Sequence, residues 1–236
     1  TPRRGEYYVL DRMEKPFVSR VIYPVPGAKG KGVLAVPTVH GNILLGPDAR
    51  DIADREGTDN TPEGLAYVRE NLDRILEEVP YEKVIRSFAG LRARGNTGDF
   101  ILEEAPGVPG FINAAGMESP GLSCAPAAAA YIRKELIRPE LLGADFCWKE
   151  KPSYIRRKAP VVMAELTEEE RNRIIREDPS YGRIVCRCEQ ISEGEIAAAI
   201  RKPVGAVSIK GVKKRVRPGM GRCQGGFCQP EVVRTL

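Results

Sequence analysis

Four cysteines close to the end of the chain, Cys186, Cys188, Cys223 and Cys228, stand in the pattern Cys-x-Cys, then 34 residues, then Cys-x4-Cys. Thiolates are soft ligands that suit iron-sulfur clusters or zinc. Gly219, Gly221, Gly225 and Gly226 crowd the second pair, and glycine lets a backbone bend until its amide N–H groups point at sulfur. Structural zinc prefers two to four residues between paired cysteines, and the first pair here has one. The spacing therefore favours an iron-sulfur cluster and leaves zinc open as the alternative. Cys124 and Cys147 stand apart and read as small buried side chains. His40 is the single histidine and the tempting general base, but Val39-His40-Gly41-Asn42 reads as a tight turn, which makes it a solvent-facing hairpin residue. No general base is assigned.

The elements that must position these residues fall into two groups. YYVL at 7–10, FVSRVIYPV at 17–25, GVLAVPTV at 32–39 and NILLG at 42–46 are rich in β-branched and aromatic residues and broken by Gly and Pro, so they read as antiparallel strands with short links. Thr61-Pro62 reads as an N-cap with proline at the first helical position. Leu65, Val68, Leu72, Ile75, Leu76 and Val79 then recur at helical spacing up to Pro80. VIRSFAGLRAR at 84–94, DFILEE at 99–104 and FINAAG at 111–116 return to strand character. The small residues of SPGLSCAPAAAAYIRKEL at 119–136 predict a helix that packs closely on a flat neighbour. Residues 137–182 read as a connector with one helix, opened by a Thr167/Glu170 capping box and ended before Pro179. Ser192 with Glu195 repeats the box at the start of EGEIAAAIRK. The fold class expected is α+β: a mainly antiparallel sheet with flanking helices over 1–136, a connector over 137–182, and a small all-helical domain over 183–236.

Bulk properties narrow the functions. A chain of 236 residues with 42% hydrophobic and 29% charged residues has ordinary globular composition and room for two cores. No apolar run approaches the roughly 20 residues that cross a bilayer, and TPRRGEYYVLDRMEKP lacks the apolar core of a signal peptide. A cytoplasmic address is expected. The excess positive charge is local: Arg201, Lys202, Lys210, Lys213, Lys214, Arg215, Arg217 and Arg222 fall in one stretch without acids. With Phe227 the only aromatic nearby, this is a poor nucleic-acid surface. It fits better as a cationic surround that favours the reduced form of a negatively charged cluster or attracts an acidic redox partner.

VCRCEQISEGEI followed by RPGMGRCQGGFC, within residues 183–230, resembles the bacterioferritin-associated ferredoxin type of domain, which also ends anaerobic glycerol-3-phosphate dehydrogenase and related flavoenzymes. That resemblance implies a [2Fe-2S] cluster on Cys186, Cys188, Cys223 and Cys228. The family domain continues into a further helix, of which this chain carries only the first residues. GKGVLAVPTVHGNILLGPDA at 30–49, GLRARGNTGDFIL at 90–102 and FINAAGMESPGLSCAPAAAAYI at 111–132 resemble the latter half of FAD-dependent oxidoreductases of the D-amino-acid oxidase and glycerol-3-phosphate dehydrogenase superfamily. The resemblance implies a strand-rich substrate domain, and a segment at Gly116, Ser119, Gly121 and Leu122 that faces the flavin. A helix starting near Pro120-Gly121 would aim N–H groups at the reduced ring. The alternative is a Gly- and Ala-rich helix that only packs on a sheet. Arg92 matches a position that faces substrate or flavin in that superfamily. A structural ion pair is the alternative, and Arg94 could be the outward member of the strand.

No GxGxxG follows a strand anywhere in the sequence, so the chain reads as part of a longer enzyme, inactive alone. The function implied is hydride transfer from a small hydroxy compound, glycerol 3-phosphate or a 2-hydroxy acid, to FAD, then single electrons to the cluster and on to a redox partner protein or quinone. Oligomerisation is expected, and peripheral membrane association through a partner is compatible with this scheme. The competing reading is an electron-transfer or scaffold subunit that completes its flavin site with another chain.

Overall fold

The computed structural model describes residues 1–27, 31–137, 142, 149, 152, 153 and 159–236. Cys147 and Trp148, each singled out in the sequence, lie outside the described residues. The chain divides into two compact units, Thr1–Tyr154 and Ile155–Leu236.

The first unit is organised by β1 (Pro2–Leu10). On one side it pairs along its length with β5 (Val84–Ala93). On the other it pairs with β3 (Ile43–Gly46) and β4 (Arg50–Asp51), and β3 in turn carries β2 (Leu34–Pro37). Every pairing is antiparallel. The β2–β3 link is the predicted turn: Thr38 N–H donates to the Asn42 carbonyl at 2.8 Å, and His40 is exposed in it. β6 (Ile101–Glu104) and β7 (Ile112–Ala115) form a separate hairpin.

The stretch 17–25 is not the strand that its composition predicts. It touches the sheet by one bridge, Ile22 to Ala35. Pro16, Pro24 and Pro26 deny the backbone a regular ladder. The apolar side chains are used all the same, since Val18 is buried in the core and Phe17 and Ile22 pack against it. The first helix also stops short of Pro80: α1 spans Pro62–Leu72. Ile75, Leu76 and Val79 still pack on the core, but from the turn that follows.

Side chains alternate across β1 as a strand requires. Leu10 joins Val33, Ala35, Ile43, Leu45, Val68 and Leu72 in a core between sheet and α1. Glu6 lies on this same face, fully buried. Its carboxylate accepts from the Thr61 N–H at 2.6 Å and the Thr61 hydroxyl at 2.7 Å, and lies 3.3 Å from Arg4 Nε. Thr61 is the N-cap of α1, so the buried charge sits at the positive end of a helix, where it stabilises by up to about 2 kcal/mol. The carboxylate is pressed against Gly64, where a Cβ would overlap it.

In the second unit a 3-10 turn (Met163–Glu165), α3 (Glu168–Glu177) and β8 (Ile184–Cys186) with β9 (Ile191–Ser192) precede α4 (Glu193–Arg201), α5 (Ile209–Val216) and α6 (Gln229–Thr235). Both expected capping boxes are present, Thr167 with Glu170 and Ser192 with Glu195. Glu195 also accepts from the Met163 N–H at 3.2 Å, which ties the chain before α3 to the cysteine unit. α6 forms within the residues present and buries Val232 beside Cys186, Ile196, Val212 and Cys228.

Gly64→Ala separates propensity from packing. Alanine favours a helix by about 1 kcal/mol over glycine, whereas the clash with Glu6 opposes it by about 1–3 kcal/mol. A lowered midpoint in chemical denaturation is expected; a raised one would show that the Glu6 contact is slack.

Candidate functional sites

The four cysteines converge in the second unit. Cys186 ends β8, Cys188 follows in the turn to β9, Cys223 lies in the loop after α5, and Cys228 is the N-cap of α6. All four line one cavity of about 630 Å³, together with Arg187, Arg222 and Phe227. None is in a disulfide. The sulfurs fall into two pairs: the Cys188 thiol donates to Cys223 Sγ at 3.5 Å, and the buried Cys186 and Cys228 thiols influence each other. Among the described residues no three His, Cys, Asp or Glu side chains are grouped as they would be on a single metal ion.

The two ends of the second loop differ electrically. The Cys223 thiol is held below its usual range by the backbone N–H of Gly225 first, then by the thiol of Cys188 and the N–H groups of Phe227 and Gly226, against the opposing effect of burial. This is the amide donation to sulfur that the clustered glycines predict. Burial pushes Cys228 up to about 11, with Cys186 adding to the effect. Both Cys186 and Cys228 are essentially inaccessible, while Cys188 is exposed. Four thiols in two pairs, with amide donors already aimed at one of them, fit a two-iron cluster, each iron taking two sulfurs.

In the first unit Arg92 and Ser119 line a pocket of about 460 Å³, with Arg3, Tyr7, Lys31, Asp48, Arg50 and Glu118 among the other lining residues. Cross-strand register explains the placement. Arg92 on β5 stands opposite Arg3 on β1, and Gly5, two residues further along β1, leaves room for the guanidinium, since a Cβ there would come within 2.8 Å of Arg92 Nη2. Tyr7 stacks on Phe88 with ring centroids 4.9 Å apart. Burial raises the Tyr7 phenol, and the Arg92 guanidinium hydrogen-bonded to it acts in the opposite direction. Asp48 accepts the Glu6 N–H at 2.7 Å through Oδ1, and its Oδ2 faces Arg50 Nε at 3.3 Å. Burial raises the Asp48 carboxyl.

Arg92 and Arg94 differ in their partners. Arg94 bonds Asp51 at 3.1 Å, the same carboxylate that holds Arg3 at 2.7 Å. Arg92 makes a 3.4 Å bond to the Asp48 carbonyl and otherwise borders the pocket. Of the residues expected at the flavin, only Ser119 joins that pocket. Gly116 takes a positive φ of 64° against Gly95, Gly121 opens α2 (Gly121–Tyr131), and Leu122 is 93% exposed. No side chain caps α2, and within the described residues it buries only Gly121 and Ala128. It is therefore not a helix packed tightly on a sheet of this unit. Lys31 and Arg50 escaped the sequence reading. Lys31 sits in a run of glycine and lysine, and Arg50 only acquires meaning once Asp48 is seen to be buried beside it.

The two units match two families, a flavin-dependent oxidoreductase and an iron-sulfur binding domain. The chain belongs to the family of FAD-dependent oxidoreductases described as DAO, whose model matches residues 1–134. Residues 184–236 match the BFD-like [2Fe-2S] binding domain. FAD and a [2Fe-2S] cluster are thus the cofactors of the two families. Over 235 residues the chain is 48% identical to the glycerol 3-phosphate dehydrogenase of Caloramator mitchellensis, covering all of this chain and 48% of that protein. It is 34% identical to the glycerol 3-phosphate oxidase of Mycoplasma genitalium over 55% of this chain and 34% of the relative. Among solved structures, the dithionite-reduced, FAD-bound L-alpha-glycerophosphate oxidase of Mycoplasma pneumoniae superposes with a TM-score of 0.54 at 32% identity, over 65% of this chain and 38% of that one. The chain therefore spans at most about half the length of these relatives. Among the described residues no helix is long and apolar enough to cross a membrane.

Cys186→Ser is expected to bleach the visible spectrum of the anaerobically purified chain and to leave the first unit folded. Cys124→Ser, on α2 in the other unit, is expected to leave the spectrum intact. A colourless wild-type protein with one stoichiometric zinc would contradict the assignment.

Proposed function

We propose that this chain is the substrate-binding and electron-exit portion of a dehydrogenase that oxidises glycerol 3-phosphate. The observation that carries this reading is the set of cations around one small pocket: Arg3, Lys31, Arg50 and Arg92 line it against two carboxylates, Asp48 and Glu118. Arg3 is spent on Asp51 and Arg50 on Asp48, so Arg92 and Lys31 are the cations left to meet a ligand. A guanidinium presents two parallel donors to a phosphate, and an ammonium adds a point charge. The half-buried phenol of Tyr7 keeps its proton and lies beside the Arg92 guanidinium. Ser119 adds a hydroxyl on the pocket's rim.

FAD supplies the hydride acceptor and the [2Fe-2S] cluster supplies a one-electron exit. The residues of this chain bind and orient the anionic substrate in the first unit and hold the cluster in the second. Electrons leave for a redox partner protein or a quinone. Names of the relatives support the phosphate ester over a 2-hydroxy acid, because the glycerol 3-phosphate enzymes share the higher identity. On this reading the chain without the rest of the flavoprotein does not turn over.

In the full-length enzyme, Arg92→Met is expected to raise KM for glycerol 3-phosphate on the order of 100-fold, from about 3 kcal/mol of lost charged hydrogen bonding. The weak reaction with glycerol, which has no phosphate, is expected to change little. An equal loss for both compounds would place Arg92 outside the phosphate site.

A further inference from the structure

The two cysteine loops are 34 residues apart in sequence, and something other than the cluster must set their separation. Glu189, the residue after Cys188, turns away from solvent, its side chain 3% exposed, and accepts from Arg217 Nε at 2.9 Å. Arg217 ends α5 and begins the loop that leads to Cys223. Its φ is +68°, uncommon for a residue with a Cβ, and its N–H closes the helix on the Lys213 carbonyl. The Met220 N–H then bonds the Arg217 carbonyl at 3.1 Å. Gly221 completes the contact: a Cβ there would overlap the Cβ of Cys188 and come within 3.1 Å of Glu189 Oε1. The loop carrying Cys223 is thus pressed against the loop carrying Cys188, and the Glu189–Arg217 ion pair ties them from behind.

We propose that Glu189 and Arg217 are positioning residues for the [2Fe-2S] cluster, fixing the distance between the two ligand loops and placing a balanced pair of charges beside it. This inference rests on the cluster assignment and not on the substrate, so it stands or falls separately from the glycerol 3-phosphate reading. The geometry also explains why arginine occupies a position whose backbone favours glycine: the side chain reaches Glu189, and glycine has none.

Five variants of the full chain, purified anaerobically with the cluster, test this: Glu189→Gln, Arg217→Gln, Arg217→Gly, Arg217→Lys and the double variant Glu189→Gln/Arg217→Gln. Two quantities are measured, the rate at which visible absorbance is lost in excess chelator and the midpoint potential. Loss of a partner that orients metal ligands costs about 10- to 100-fold in metal retention, so Glu189→Gln and Arg217→Gly are each expected to lose the cluster at least tenfold faster. The double variant Glu189→Gln/Arg217→Gln is expected to be no faster than the faster single one, since both remove the same link. Potential discriminates positioning from general destabilisation. Removing the carboxylate favours the more negative reduced cluster and raises the potential, whereas removing the guanidinium lowers it. Arg217→Lys restores the potential. Should Glu189→Gln fail to fold, Arg217→Gly decides, because glycine fits that backbone. Cluster loss within twofold of wild type in Arg217→Gly, or potentials that move in the same direction for both charge removals, would overturn the proposal.

Discussion

In each unit, side chains that would repel one another once charged are gathered at one site, and the scaffold around them supplies their partners. In the second unit the gathered groups are four sulfurs, two of them buried. In the first they are the cations around the Arg92 pocket. The neighbouring architecture follows from this constraint. Amide N–H groups lower Cys223, an ion pair bridges the ligand loops, and Asp51 and Asp48 absorb the cations that the pocket does not present.

The buried Glu6 connects pocket and core. Its carboxylate caps α1 while its own N–H binds Asp48, and Asp48 faces Arg50 on the pocket wall. A single strand, β1, thereby presents core and cap on one face and Arg3 and Tyr7 on the other. The period of two that strands impose is what lets nine residues serve both purposes.

What the sequence made legible is what depends on local chemistry. The capping boxes at Thr167 and Ser192, the Thr61-Pro62 helix start and the turn at His40 involve neighbours within a few residues, and each is found in place. The misjudged segments depend on distant partners. Residues 17–25 have the composition of a strand, yet their prolines left only one bridge while the side chains still filled the core. α1 ends eight residues before Pro80 because Ile75, Leu76 and Val79 reach the core without a helix. Lys31, Arg50 and the Glu189–Arg217 link were invisible as sites, since each is defined by a residue far away in the chain. Glu189 lies inside the motif VCRCEQISEGEI, but only its partner Arg217 at the end of α5 gives it a physical role.

The central claim is that reducing equivalents taken from glycerol 3-phosphate reach the [2Fe-2S] cluster through FAD. Rapid-freeze paramagnetic resonance of the anaerobic full-length protein tests it most directly. After mixing with glycerol 3-phosphate, the account predicts bleaching of the flavin followed, within one turnover, by the rhombic signal of a reduced [2Fe-2S] cluster. A flavin that is reduced at the normal rate while the cluster stays oxidised would contradict it.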